Sequence, residues 1–246
     1  MHKKLILGGI LFALACAYFV FPRVQNLSSQ LFGSSANIEE VRSRVGPRLS
    51  GLLVENDFRL GAQMYIRIFK EEHQLEVWLQ QENAFKLFKS YQICNYSGAL
   101  GPKLKEGDRQ SPEGFYYVGK SALNPNSNYH LSFNLGFPNT YDQAHSRTGS
   151  FLMVHGNCVS IGCYAMTDEN IEEIYLIVEA ALEAGQSNVP VHAFPFRMTD
   201  ERLSVERESQ WFSYWENLKA GYDLFEQESV LPSVSVFDGK YVFERG

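Results

Sequence analysis

The sequence predicts a mostly β domain with one or a few packed helices, and three observations predict it. From Gln63 onward, side chains alternate with a period of two, as strands facing a core do. Short runs of this kind, separated by turn residues, recur as far as Phe194. One segment, starting near Asp168, changes to the helical period.

Size and charge bound the alternatives. With 246 residues and 45% hydrophobic content, the chain can bury one good core with appendages, whereas two full domains would be cramped. A formal net charge of −6 argues against nucleic acid as a partner, because phosphate binding calls for a basic surface.

Residues 1–23 decide the compartment. His2-Lys3-Lys4 precede an uncharged apolar run from Leu5 to Phe21, the pattern of an export signal. The run lies near the lower limit for spanning a bilayer, where about 20 residues are typical, and no small-x-small cleavage site follows directly. An uncleaved anchor in the inner membrane, residues 5–21, is the expectation, with secretion after cleavage as the alternative. In either case the remainder faces the periplasm.

The elements follow in order. Residues 24–61 read as a stalk and lead-in, in which Ile38, Val41 and Val45 have helical spacing until Gly46-Pro47 interrupts. Met64, Ile66 and Ile68 alternate with Tyr65, Arg67 and Phe69, and Leu75, Val77 and Leu79 alternate with Glu76, Trp78 and Gln80. Gln81-Glu82-Asn83 then turns the chain into Phe85 to Ile93, completing a β-meander. Gly114 to Val118, Tyr129 to Leu135 and Ser150 to His155 are further strands, the last bringing His155 to a sheet edge. Thr167 or Asp168 caps a helix whose apolar stripe is Ile171, Ile174, Tyr175, Val178 and Leu182, and Gly185 ends it. Val189 to Phe194 is a last strand, so the domain covers residues 62–196. Residues 197–246 form a C-terminal α/β extension: Trp211, Trp215 and Leu218 share a helical face, Gly221-Tyr222-Asp223 follows, and a hairpin turns at Asp238-Gly239.

The stretch richest in chemistry is His155-Gly156-Asn157-Cys158-Val159-Ser160-Ile161-Gly162-Cys163. A thiol attacks as its thiolate, and a nearby imidazole is the common acceptor of its proton. Cys163 and His155 are the candidate pair. Gly162 admits backbone angles that open a turn towards an oxyanion, and the start of the downstream helix would favour a thiolate if the turn points that way. Against this stand a purely packed cysteine and histidine. A zinc set of His155, Cys158 and Cys163 is a further alternative, although no paired Cys-x2-Cys or His-x3-His unit supports it. Metal and cofactor are therefore not expected. Asp142, His145 and Arg147 lie in the loop before the His155 strand; Arg147 suits a peptide carboxylate, and His145 is a rival base.

The run Val154-His155-Gly156 followed by Ser160-Ile161-Gly162-Cys163 resembles the active-site signature of the L,D-transpeptidase (YkuD-type) family. So does the upstream Gly107-Asp108-Arg109-Gln110-Ser111-Pro112-Glu113-Gly114-Phe115-Tyr116. The resemblance covers about Gln63 to Phe196. It implies a curved β-sheet or β-sandwich carrying its site on turns at one end, Cys163 as nucleophile, His155 as general base and acid, Gly162 in the oxyanion turn, and Ser160 orienting the imidazole. Asp142, Arg147 and Tyr164 are the candidate substrate contacts. Leu135-Gly136-Phe137-Pro138-Asn139 and Gly162-Cys163-Tyr164-Ala165-Met166-Thr167 look closest to the branch whose amidase frees murein lipoprotein from peptidoglycan diaminopimelate. Ala165 stands where the family usually has Arg. The resemblance thus implies peptidoglycan stem peptides and bound lipoprotein as partners and hydrolysis of the amide joining them, with cross-linking transpeptidation or a non-catalytic envelope module as alternatives. With Cys163 as nucleophile, Cys94 and Cys158 are the natural disulfide in an oxidising compartment, the alternative being two buried thiols.

Overall fold

The computed structural model describes residues 36–246. The expected anchor, residues 5–21, lies outside the described residues, as does the stalk up to residue 35. Among the described residues, no helix is long and apolar enough to cross a membrane.

The meander forms as the alternation requires: β1 (Met64–Phe69), β2 (Gln74–Gln81) and β3 (Ala84–Gln92) pair antiparallel in sequence order. Next come β4 (Asn95–Tyr96), β5 (Gly114–Val118), β6 (Leu123–Asn124), β7 (Ser132–Asn134), β8 (Met153–His155), β9 (Tyr164–Ala165) and β10 (Val189–Phe194). They make two five-stranded sheets, ordered β3-β2-β1-β10-β5 and β4-β9-β8-β7-β6. The mostly β expectation holds. What the alternation does not reveal is that β10 inserts parallel to β1, with Ile66 opposite Val191, so that β1 becomes a central strand buried on both faces.

Helix α1 (Ile38–Glu55) corrects the expected break at Gly46-Pro47. Asn37 caps it by accepting the Glu39 and Glu40 amides. Val41, Val45, Leu49 and Leu53 form one buried stripe that passes Pro47, which faces solvent. A mid-helix proline costs about 3 kcal/mol; burial of four aliphatic side chains at about 1.5–3 kcal/mol each outweighs it. Arg42, Arg44 and Arg48 then pair with Glu179, Glu172 and Glu173 of helix α3 (Asp168–Glu183), which fastens α1 to the domain. Between α1 and β8 in the chain lies the short α2 (Thr140–Ala144). Thr167 caps α3, and Gly185 adopts a positive φ of 107° just after it.

Both sheets and α3 enclose the main core, with Ile66, Val77, Phe133, Val154, Ile174 and Val191 among its members. The other face of the first sheet, carrying Phe69, Phe115 and Phe194, is covered by the C-terminal residues. These form α4 (Asp200–Ser204), α5 (Phe212–Glu228) and the hairpin β11 (Ser233–Phe237) and β12 (Lys240–Glu244). Helix α5 runs through Gly221 because Phe243 of the hairpin packs against that position, where a Cβ would collide with its ring.

Two strands are shorter than the alternation predicts. His130 has φ 69° and Phe151 φ 54°, left-handed conformations that interrupt a ladder, so regular pairing begins only at Ser132 and Met153. His155 is also not at a sheet edge: β8 is the middle strand of its sheet, with β7 and β9 on either side.

Candidate active site

The register of β8 and β9 builds the site. These strands are parallel, with Val154 opposite Tyr164 and His155 opposite Ala165. One step back, Cys163 is level with Met153, and since alternate residues share a face, the thiol and the imidazole belong to the same side of the sheet. Both line a cavity of about 620 Å³, together with Lys103, Arg109, Tyr129, Phe151 and Met153.

Burial sets the charge state of the pair. His155 is 2% exposed, and its Nδ1 lies 2.6 Å from the Gly156 carbonyl. A carbonyl only accepts, so Nδ1 carries the proton and Nε2 keeps its lone pair. Burial pushes the imidazole pKa below its ordinary value, opposed by the Gly156 carbonyl. Burial likewise pushes the Cys163 thiol up, opposed by the Met153 N–H, 3.4 Å from Sγ, and by the charge of Lys103. Both shifts favour the neutral thiol and the neutral imidazole. At the start of α3, Asp168 Oδ1 accepts the Asn157 N–H of the turn that follows His155.

The turn before Cys163 is held by hydroxyls. Gly162 has φ 149°, and a Cβ there would press on Leu152. Ser160 does not reach His155, contrary to the role implied for it; its Oγ donates to the Cys163 carbonyl at 2.8 Å and accepts the Gly162 amide at 3.2 Å. Ser111, from the upstream motif, donates to the same carbonyl at 3.0 Å. Cys94 and Cys158 are joined as a disulfide with Cα atoms 5.3 Å apart, tying this loop to the end of the meander and removing Cys158 from any zinc set.

Three expected substrate contacts lie away from the cavity. Asp142 is fully buried, capping α2 with Asn139 and pairing with Arg147 at 2.9 Å. The Arg147 guanidinium lies over the rings of Tyr141 and Tyr214, which take the place of the peptide carboxylate expected for it. Tyr164 is fully buried and donates to the Pro112 carbonyl at 2.6 Å. His145 stacks on Tyr141 with ring centres 4.2 Å apart and is no rival base. Conversely, Lys103, Arg109, Tyr129 and Phe151 line the cavity without having been singled out. Of these only Arg109 fell within a motif; the others have no local pattern that marks them.

Comparison with known proteins identifies the family of the chain. Residues 63–191 match the YkuD L,D-transpeptidase catalytic domain family. The chain is 44% identical over 233 residues to a protein of Escherichia coli strain K12 named "Putative L,D-transpeptidase YafK", covering 95% of this chain and 90% of that one. Two solved structures are more distantly similar. The helical cell shape determining protein Pgp2 from Campylobacter jejuni is 18% identical with a TM-score of 0.43, over 76% of this chain and 80% of that chain. Bd1075 from Bdellovibrio bacteriovorus is 16% identical with a TM-score of 0.40, over 72% and 78%. On the family match and the near full-length relative, the chain belongs to the L,D-transpeptidase family, with the YkuD-type catalytic domain at residues 63–191.

Proposed function

We propose that this protein is a periplasm-facing cysteine amidase that cleaves the amide bond between peptidoglycan diaminopimelate and covalently attached lipoprotein. The observation that carries it is the shared cavity of Cys163 and His155, with the Nε2 lone pair left free by the Gly156 carbonyl. As Sγ attacks the amide carbonyl, its proton passes to Nε2, and the oxyanion is assigned to the Cys163 N–H, because the Gly162 N–H is directed to Ser160. The imidazolium next protonates the leaving amine, giving a thioester. Water, deprotonated by His155, then releases the acid and restores the thiol. An amine in place of water makes the enzyme a transpeptidase, the reading favoured by the name of the E. coli relative.

Two features support a protein chain at the site. Phe151 and Ile161, exposed by 73% and 77%, form an apolar rim of the cavity, suited to apolar side chains of a polypeptide. Ala165, opposite His155 in the ladder, is fully buried and brings no cation to the site. The test is incubation of the full chain, wild type and Cys163→Ala, with sacculi bearing bound lipoprotein, followed by mass analysis of the products. Lipoprotein freed of diaminopimelate by the wild type alone supports the amidase. New cross-links in its place establish the transpeptidase, and intact sacculi refute both.

A further inference from the structure

A carboxylate stands behind the imidazole, one peptide group away. The Gly156-Asn157 peptide is held at both ends: its carbonyl faces His155 Nδ1 at 2.6 Å, and its N–H donates to Asp168 Oδ1 at 2.7 Å. The packing around it leaves no slack. A Cβ on Gly156 would sit 2.6 Å from Asp168 Oδ1 and 3.0 Å from both His130 Cβ and Ile171 Cγ2, so this position takes glycine alone. Asp168 is not the helix cap, since Thr167 accepts the Asn170 amide in that role. Its carboxylate turns sideways to the turn that follows β8.

A hydrogen bond from a peptide N–H to a carboxylate is charge-assisted, and it shifts electron density in the amide towards its oxygen. The Gly156 oxygen becomes a better acceptor for His155 Nδ1–H, most of all when the ring turns cationic. We propose that Asp168 is a positioning residue for the Cys163–His155 pair, acting through the Gly156-Asn157 peptide to hold the imidazole tautomer and stabilise the imidazolium. It rests on His155 and Cys163 being the reacting pair. A carboxylate bound directly to the histidine would do the same work; here a peptide group lies between them.

Both signs of charge surround the pair. His130 Nδ1 approaches Asp168 Oδ2 at 3.8 Å, while its Nε2 lies 2.9 Å from Glu172, which Arg44 of α1 neutralises. Tyr129 covers one side of the imidazole, ring centres 4.6 Å apart, and Cys163, Lys103, Glu106 and Arg109 lie in the same cavity. The Asp168 side chain is 48% exposed, so its influence is partly screened.

Three variants test this. Asp168→Asn keeps shape and acceptor but removes the charge, Asp168→Ala removes both, and Glu169→Gln removes a neighbouring first-turn charge that is exposed. The readouts are the His155 titration followed by NMR of its ring Cε1–H, the rate of Cys163 alkylation by iodoacetamide against pH, and the Tm. Asp168→Asn is expected to lower the apparent His155 pKa by roughly half to one unit and to slow alkylation at pH 7 by about 3–10-fold. Glu169→Gln is expected to leave both unchanged. A wild-type titration and alkylation rate in folded Asp168→Asn would overturn the proposal, as would equal losses in Glu169→Gln. Should Asp168→Ala fail to fold, the Asn variant still decides. None of these readouts uses peptidoglycan, so inactivity of the wild type on sacculi would refute the proposed substrate and leave this inference standing.

Discussion

Lys70→Met is the perturbation that best probes how the fold supports the site. Lys70 is fully buried, and its Nζ, with three N–H donors, lies 3.0 Å from each of the carbonyls of Ala99, Gly101 and Ser111 and 2.9 Å from Glu113 Oε1. Glu113, equally buried, also accepts the Gly101 amide and the Trp215 indole N–H. This cluster joins the meander, the loop carrying Ser111 and the C-terminal helix α5. Methionine fills a similar volume but leaves a buried carboxylate without its counter-charge, which costs about 3–5 kcal/mol. For a domain of this size each kcal/mol lowers Tm by about 2–4 °C, so a fall of roughly 6–20 °C is expected. Urea unfolding followed by tryptophan fluorescence suits the measurement, because Trp215 reports on Glu113 directly. Since a buried ion pair is often dispensable once both charges are removed, Lys70→Met/Glu113→Leu is expected to be more stable than the sum of the two single losses by at least about 1 kcal/mol. A loss below about 1 kcal/mol in Lys70→Met, or strict additivity in the cycle, would refute the reasoning.

Other outcomes follow from the same geometry. His192, buried between the rings of Tyr65 and Phe115, has its pKa lowered to about 3 by burial and by the nearby Arg67. The unfolded chain binds that proton below about pH 6.5 and the folded one does not, so this contribution to stability is complete above that pH and falls by about 1.4 kcal/mol per unit as pH drops towards 3. Urea unfolding at pH 7 and pH 5 should therefore differ by about 2 kcal/mol more in the wild type than in His192→Leu; equal differences would contradict it. The Cys94–Cys158 bond closes a loop with a sequence separation of 64 residues. Its reduction in a Cys163→Ala background is expected to cost about 4 kcal/mol, read as a lower Tm with reductant. Burial raises the Cys163 thiol pKa and the charge of Lys103 opposes that rise, so Lys103→Met should slow iodoacetamide alkylation at pH 7 by a factor of about 2–5. An unchanged rate would remove Lys103 from the account of the thiol.

Much of the fold was legible in the chain, as was the candidate pair at the centre of the cavity. Thr167 followed by the Ile171 to Leu182 stripe specifies α3 because cap and stripe are both local, and the alternation from Met64 to Gln92 specifies the meander for the same reason. His155 and Cys163 stood out through the motif, but what Ser160, Asp142, Arg147 and Tyr164 contact was misread. A short polar side chain in a turn has several partners in reach, and the motif did not say that the Cys163 carbonyl would win Ser160. Likewise, the sequence offers Arg147 to a substrate, whereas Tyr214 of α5, distant in the chain, lies against it.

The sequence by itself determined the meander, helix α3 with its Thr167 cap and the candidate pair His155 and Cys163, because these depend on periodicity and residue type within a few positions. Tertiary structure decided the rest. Pairing β8 parallel to β9 brought thiol and imidazole to one face, inserting β10 beside β1 created a second buried face for α5, and packing α3 under the Gly156 turn set Asp168 behind His155. Each depends on strand register or on contacts between distant segments, and no local pattern of side chains carries that information.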